Sequence, residues 1–214
     1  MRSAPASKVK YRPFRHGDFD AMARIVGEVW HAPFSESERR LAGSYDLAVV
    51  LSRSTWSQIA VVRRQIVGFV LVRAGSLDLE AAARWQGVAR DALDELQRQS
   101  PVNGARLAAY SEAEQRIDLQ LLEESGCDPQ YEFTLFILRP EARGQGIGRA
   151  LFDQAEAELS AQGAREAFLY TDESCTWGFY EHRGLRRAAE YHPQPGEGED
   201  LLPAYYLYVD ELGS

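Results

Sequence analysis

The order of apolar and polar residues changes period several times along the chain, and each change marks an element. Val9 to Phe14 fits an extended start. Asp18 stands where an N-cap is needed, ahead of Met22, Ile25, Val26 and Val29 at helical spacing. A second helix is expected over Glu36 to Leu51. The β-branched runs Ile59 to Arg63 and Ile66 to Val72, on either side of Arg64 and Gln65, predict an antiparallel hairpin with Gly68 inside its second strand. Between 77 and 129 the chain turns rich in Ala, Glu, Leu, Gln and Arg, and Trp85, Val88, Ala92 and Leu96 share one helical face. Pro101, Asn103 and Gly104 should break that helix. Ser111 and Glu114, at capping-box spacing, should then start another, with Ile117, Leu121 and Leu122 as its apolar side and Gly126 past its last turn. The segment reads as a helical hairpin set between strands.

From Tyr131 onward the pattern predicts strand, helix, strand, helix, strand, strand. Phe133 to Leu138 is a continuous apolar run, as a central buried strand requires. Ile147 to Leu159 carries Leu151, Phe152, Ala155 and Leu159 in helical register, and Gly163 closes it. Ala167 to Tyr170, Leu185 to Tyr191 and Tyr205 to Val209 read as strands, with a short helix over Trp177 to Arg183. The loop Pro193 to Pro203, holding Glu197, Glu199 and Asp200, reads as long and mobile. The class is α/β, one domain over 1–214 with 77–129 set into it.

No apolar run approaches the roughly 18 residues of a membrane span, so no membrane partner is expected. Cys127 and Cys175 cannot form a disulfide framework. His16, His31, His182 and His192 show no metal-ligand spacing, so no metal is expected either. A reducing cytoplasm is the simplest placement. The net charge of −8 argues against nucleic acid as a partner. It is unevenly spread: residues 1–76 carry +6, residues 77–131 carry −6, and residues 132–214 carry −8. Such a gradient is ordinary solvated surface or a field that draws a cationic substrate toward the C-terminal part.

The segment Leu135 to Leu151 holds the most specific chemistry. A buried strand runs through Arg139-Pro140-Glu141-Ala142 into Arg143-Gly144-Gln145-Gly146-Ile147-Gly148-Arg149, and a helix begins at once. Alternate glycines let backbone approach a ligand closely, and a helix start presents unpaired N–H groups with the positive end of the macrodipole. That combination suits a phosphate or pyrophosphate. A P-loop would need Lys-Ser/Thr after the last glycine, where Arg149-Ala150 stands. A dinucleotide fingerprint would need G-x-G-x-x-G.

This turn resembles the acetyl-CoA-binding motif of the GNAT superfamily of N-acetyltransferases. The resemblance implies a mixed, mostly antiparallel central sheet flanked by helices, with the helical hairpin as an insertion before the fourth strand. It implies acetyl-CoA as co-substrate, with Arg143, Gly144, Gln145, Gly146, Ile147, Gly148 and Arg149 around its pyrophosphate. The backbone of Phe136, Ile137 and Leu138, on a strand splayed from its neighbour, would pair with its pantetheine. Phe179-Tyr180-Glu181, followed by Gly184-Leu185, resembles a second family segment, with Leu185 in place of the usual aromatic. In that likeness Tyr180 protonates the departing thiolate. Glu173 stands where the family often has an Asn that contacts CoA.

An ammonium group has no lone pair, so a base is also needed. Glu132, six residues before Leu138, matches a catalytic glutamate of some members, and even spacing places 132, 134, 136 and 138 on one side of an uninterrupted strand. Asp172, Glu173 and His182 are the other candidates, and a water chain to bulk is a further route. The expected reaction is direct attack of a primary amine on the acetyl carbonyl. A ping-pong route through Cys175 lacks a paired histidine signal. The alternative is an acyl-CoA-binding regulatory or partner-binding module without catalysis. The acceptor, a small-molecule or peptide amine, cationic if the charge gradient is functional, would be met by Trp30 to Ser44 and the Pro193 to Pro203 loop. Trp30, Phe34, Tyr191 and Tyr205 could line its pocket. The amphipathic hairpin suggests a homodimer.

Overall fold

The computed structural model describes residues 8–193 and 202–213, so the acidic stretch with Glu197, Glu199 and Asp200 lies outside the described residues. Strand β1 (Lys10–Arg12) is followed by helices α1 (Phe19–Trp30) and α2 (Glu36–Ser52), then strands β2 (Trp56–Val62) and β3 (Gln65–Ala74). Helices α3 (Leu79–Gln99) and α4 (Pro101–Ser125) come next. Then follow β4 (Tyr131–Leu138), α5 (Ile147–Ala161), β5 (Glu166–Asp172), α6 (Gly178–Arg183), β6 (Arg186–Tyr191) and β7 (Tyr205–Glu211).

The seven strands form one sheet in the order β1-β2-β3-β4-β5-β7-β6, antiparallel except where β4 runs beside β5. Each face is covered because the strands carry apolar residues on both sides. Met22, Ile25, Val26 and Leu47 of α1 and α2 pack on Ile59, Phe69, Leu71, Leu135 and Ile137. On the opposite face Ile147, Leu151, Phe152, Ala155 and Leu159 of α5 meet Val70, Val72 and Phe133. The β2–β3 turn falls one residue earlier than the pattern predicts. Arg63 and Arg64 form it with φ of 50° and 68°, a conformation that costs an L-residue about 1 kcal/mol or more.

Two expectations about local structure are corrected. The first is the unbroken alternation of β4. Leu71 stands opposite Leu135 and Val72 opposite Phe133, so Thr134 is an extra residue in the ladder. A bulge shifts the alternation by one. Phe133, Phe136 and Leu138 therefore face α5, whereas Leu135 and Ile137 face α1 and α2. Thr134 Oγ1 lies 2.7 Å from Ser54 Oγ, just past α2, so Thr134 does not share a face with Phe136 and Leu138.

The second is the start of the next helix, expected at Ser111: α3 ends at Gln99, just before Pro101, as the pattern predicts, but no gap follows. Helix α4 runs unbroken from Pro101 to Ser125. Pro101 occupies the first turn, where its missing N–H costs nothing. Gly104 sits where α4 crosses α3, and a Cβ there would lie 2.6 Å from Gln97 Cα. Ser111 is an interior helical residue that accepts a 2.8 Å hydrogen bond from the Tyr45 hydroxyl. Gly126, at φ 69°, ends the helix as the pattern predicts.

The apolar faces that suggested a dimer are used within the chain. Leu96 of α3 and Leu107 of α4 pack on Ala42 of α2, and Ile117 and Leu121 of α4 cover Phe168, Leu207 and Val209 of β5 and β7. Val88 lies at the margin of the buried stripe and is exposed. No helix among the described residues is long and apolar enough to cross a membrane.

Candidate active site

The site forms where β4 and β5 part. Parallel pairing between them is recorded at one position, Glu132 opposite Phe168. Beyond it, Phe136, Ile137 and Leu138 pair with Val70, Phe69 and Gly68 of β3 on one side only. Their other edge can hydrogen-bond an extended ligand, because backbone N–H and C=O groups need partners.

The edge leads into the glycine turn. Pro140 to Ala142 form a single 3-10 turn, and Gly144 and Gly146 then adopt φ of 70° and 76°. Gly146 is the N-cap of α5, with no side-chain cap, and the first helical bond runs from Ala150 N–H to Gly146 C=O at 3.0 Å. The N–H groups of Ile147, Gly148 and Arg149 precede that bond and point out of the helix start, as an anion site requires. Arg143, Gly144, Gln145 and Gly146 are exposed, as is Arg149, while Ile147 and Gly148 are buried. The Gln145 side chain donates to the Glu141 carbonyl at 2.9 Å and stiffens the turn. Beside it opens a cavity of about 710 Å³, lined by Arg12, Arg24, Arg64, Arg139 and Gln145 among others.

Tyr180 lies on α6, which aromatic contacts fix against β4 and α5. Phe136 and Phe179 stand 5.4 Å apart between ring centroids, Phe152 and Phe179 5.6 Å, and Phe152 and Tyr180 6.2 Å. Arg183, held by Asp153 and Glu156, covers the Phe152 ring at 4.6 Å. Burial first, and Cys175 second, push the Tyr180 hydroxyl above the ordinary tyrosine range. Among the described residues no hydrogen bond engages that hydroxyl, so it is available to a ligand.

Glu132 is 1% exposed on β4, with Arg53 Nη1 at 3.1 Å from one carboxylate oxygen and Arg73 Nη2 at 2.7 Å from the other. Both oxygens already face a guanidinium. The other base candidates are differently placed. Asp172 accepts from the Ser174 N–H at 2.7 Å and from its hydroxyl at 2.5 Å. Glu173 is exposed, and His182 Nδ1 lies 2.5 Å from the Gly178 carbonyl. Desolvation and then Asp172 push the Cys175 thiol up, the reverse of an activated nucleophile.

Sequence spacing missed the residues that close the site from the α2 and α4 side. Tyr170 of β5 donates to the Asp118 carbonyl of α4 at 2.8 Å, and the hydroxyls of Tyr110 and Tyr205 are 2.5 Å apart. Glu114, which the pattern assigns to a helix cap, instead interacts with Asp46 and Arg53 of α2, Asp172 of β5 and Tyr205 of β7. Burial is the main cause that pushes its carboxyl up to about 7. No local signal marks this group, because four separated segments, α2, α4, β5 and β7, supply it.

A family model described as an acetyltransferase (GNAT) domain matches residues 103–186, from the first turn of α4 to the start of β6. An uncharacterized N-acetyltransferase of Chlorobaculum tepidum, CT2212, is 44% identical over 55 residues. That stretch is 25% of this chain and spans about a third, 34%, of the curated relative. Among solved structures, SsHAT superposes with a TM-score of 0.62 at 19% identity, covering 96% of this chain and 99% of that one. YhbS of Escherichia coli, a GNAT family N-acetyltransferase solved with CoA, gives 0.50 at 15%, covering 100% and 86%. The likeness to both structures, at such low identity, is one of fold. The glycine turn lies inside the segment, residues 103–186, that matches the acetyltransferase (GNAT) domain model, and the fold around it is similar to that of these structures.

Proposed function

We propose that the protein transfers an acetyl group from acetyl-CoA to a primary amine of a small molecule or peptide, by direct attack in a ternary complex. The observation that carries this reading is that one parted strand edge joins an uncapped glycine turn at one end to the free hydroxyl of Tyr180 beside it. The turn suits a pyrophosphate: Gly144 and Gly146 leave the backbone uncovered, and Arg143 and Arg149 add charge around the helix start. The backbone of Phe136, Ile137 and Leu138 would hold the extended pantetheine. YhbS, of similar fold, is solved with CoA, which supports the same cofactor here.

In this reading the 77–129 hairpin is an insertion in a single acetyltransferase unit, and use of acetyl-CoA together with the free Cys127 and Cys175 supports a cytoplasmic location. The bulge at Thr134 interrupts the β3–β4 ladder beside the split, and in this reading a backbone N–H of β4 would polarise the thioester carbonyl. The amine nitrogen bonds to the carbonyl carbon as the carbon–sulfur bond breaks. Tyr180 donates its proton to the departing sulfur. Glu132 stays a base candidate by its place on β4, although its two guanidinium partners equally suit it to fixing Arg53 and Arg73. That pairing also favours the second reading, a module that binds acyl-CoA without chemistry.

Thiol release from acetyl-CoA, followed across a panel of primary amines, tests the proposal. Turnover with at least one amine is expected. If CoA binds and no amine supports turnover, the binding-module reading replaces it.

A further inference from the structure

Helix α4 brings carboxylates into a place where the sheet alone would leave an opening. Asp118 lies over Tyr170 on β5, next to the point where β4 and β5 separate, and its carboxylate interacts with Glu114, Arg53 and Glu132. Its Oδ1 is closed off from solvent and accepts no hydrogen bond. Beside it Glu132, on a side chain 1% exposed, is held by Arg53 and Arg73. A buried acceptor atom without a donor is costly in a closed interior. The Asp118 Oδ1 atom thus points to a donor from outside the chain.

The groups facing Glu114 can be named element by element. Helix α2 contributes Tyr45, Asp46 and Arg53, with His31 on Asp46. Helix α4 adds Tyr110 and Asp118, β5 adds Asp172, and β7 adds Tyr205. Carboxylates outnumber cations in this group. Among the described residues no set of three or more His, Cys, Asp or Glu side chains is arranged to hold a metal ion. The missing donor is therefore better matched by an organic cation with several N–H groups.

We propose that α4 forms the acceptor side of the active site, with Glu114 and Asp118 binding the primary ammonium of an aliphatic, cationic amine and Glu114 taking its proton. This rests on the acetyl-transfer reading above. The protons balance as follows. One proton passes from the ammonium to Glu114, and the freed lone pair forms the carbon–nitrogen bond while the carbon–sulfur bond breaks. The nitrogen loses a second proton as the amide forms. One of the two protons restores Tyr180 after it has protonated sulfur, and the other leaves Glu114 for solvent. A carboxyl pushed up to about 7 by burial, as Glu114 is, can take a proton near neutrality and release it again.

The test uses butylamine, putrescine and spermidine with the full chain, by calorimetry in two buffers and by thiol release. Wild type should bind putrescine or spermidine, with proton exchange detectable between buffers near pH 7. Glu114→Gln should lower kcat/KM about 100-fold and remove the rise in rate through about pH 7. Asp118→Asn should raise the amine KM about tenfold with little change in kcat. CoA affinity and the melting curve of each variant confirm an intact fold. Wild-type turnover with kinetics unchanged in Glu114→Gln would overturn this inference and leave acetyl transfer standing. Absence of amine turnover, with binding of putrescine that Glu114→Gln weakens, would overturn the transfer reading and retain the cation site. Absence of amine binding, or equal binding of magnesium, would overturn the site itself.

Discussion

The Tyr170 hydroxyl donates a 2.8 Å hydrogen bond to the backbone carbonyl of Asp118, 52 residues earlier in the chain, and so ties α4 to β5 beside the parted strands. Both partners are held on regular elements, so the bond fixes how α4 lies over the site. Tyr170→Phe keeps the ring and removes the donor. It should lower stability by about 1 kcal/mol in urea unfolding and weaken amine turnover more than CoA binding. An unchanged unfolding midpoint together with unchanged kinetics would show that the tie does not position α4.

Gly146 holds φ 76° with nothing within 4 Å of where a Cβ would sit. Gly146→Ala therefore meets backbone strain of about 1 kcal/mol and no clash within the chain. Its larger effect should be on CoA, whose phosphates would approach the space the methyl fills. Gly146→Asp adds a like charge and should abolish binding in calorimetry. Full CoA affinity in both variants would remove the glycine turn from the cofactor site.

Tyr180 is positioned by ring contacts, and its hydroxyl has no hydrogen-bond partner among the described residues, so Tyr180→Phe should leave packing intact. Steady-state kinetics should show kcat reduced about 100-fold with an unchanged KM for acetyl-CoA. Equal kcat in variant and wild type would defeat the acid assignment.

Glu132 counters both Arg53 and Arg73 in a buried place. Replacing it by Gln leaves those guanidiniums without their carboxylate, a loss of roughly 3–5 kcal/mol in comparable buried pairs. Thermal unfolding measures that directly. If Glu132 fixes the two arginines and does not take the proton, the slow variant keeps the wild-type pH profile. A profile that loses its rise toward neutral pH would make Glu132 the base.

The pH dependence of stability has a defined sign. Glu114 and Asp210 are each pushed up to about 7, chiefly by burial, and burial also raises Asp118 and Asp46. The folded chain then binds more protons than the unfolded one between the ordinary carboxyl range near 4 and pH 7, so stability falls as pH rises across that window. Asp18, held low by Arg12, works in the opposite direction only below about pH 4. Urea unfolding at pH 5, 6, 7 and 8 should show the decline, and Glu114→Gln should reduce it by at most roughly 3 kcal/mol over the range. Stability that climbs from pH 5 to 7 would contradict the assignment.

Where a signal is local, it can be read before any coordinates exist. Ile147, Leu151, Phe152, Ala155 and Leu159 form the buried face of α5 because helical spacing and burial are the same constraint. Gly146 and Gly126 mark a helix start and a helix end because only glycine takes a left-handed φ at little cost. The break ahead of Pro101 is local and was legible, since α3 ends at Gln99, whereas the start of α4 at Pro101 and not at Ser111 was not: Gly104 is needed inside α4, where it presses on Gln97 of α3.

The sequence by itself determined the order of elements, the glycine turn and the Phe179-Tyr180 segment, since each is carried by neighbouring residues under local steric and periodic rules. Only the tertiary structure decided that Thr134 bulges, that Glu132 lies between Arg53 and Arg73, and that Glu114 faces Asp46 and Asp172 and does not cap a helix. Those relationships join residues from β3, β4, β5, α2 and α4. Their energies depend on burial and charge proximity across the fold, which no spacing along the chain encodes.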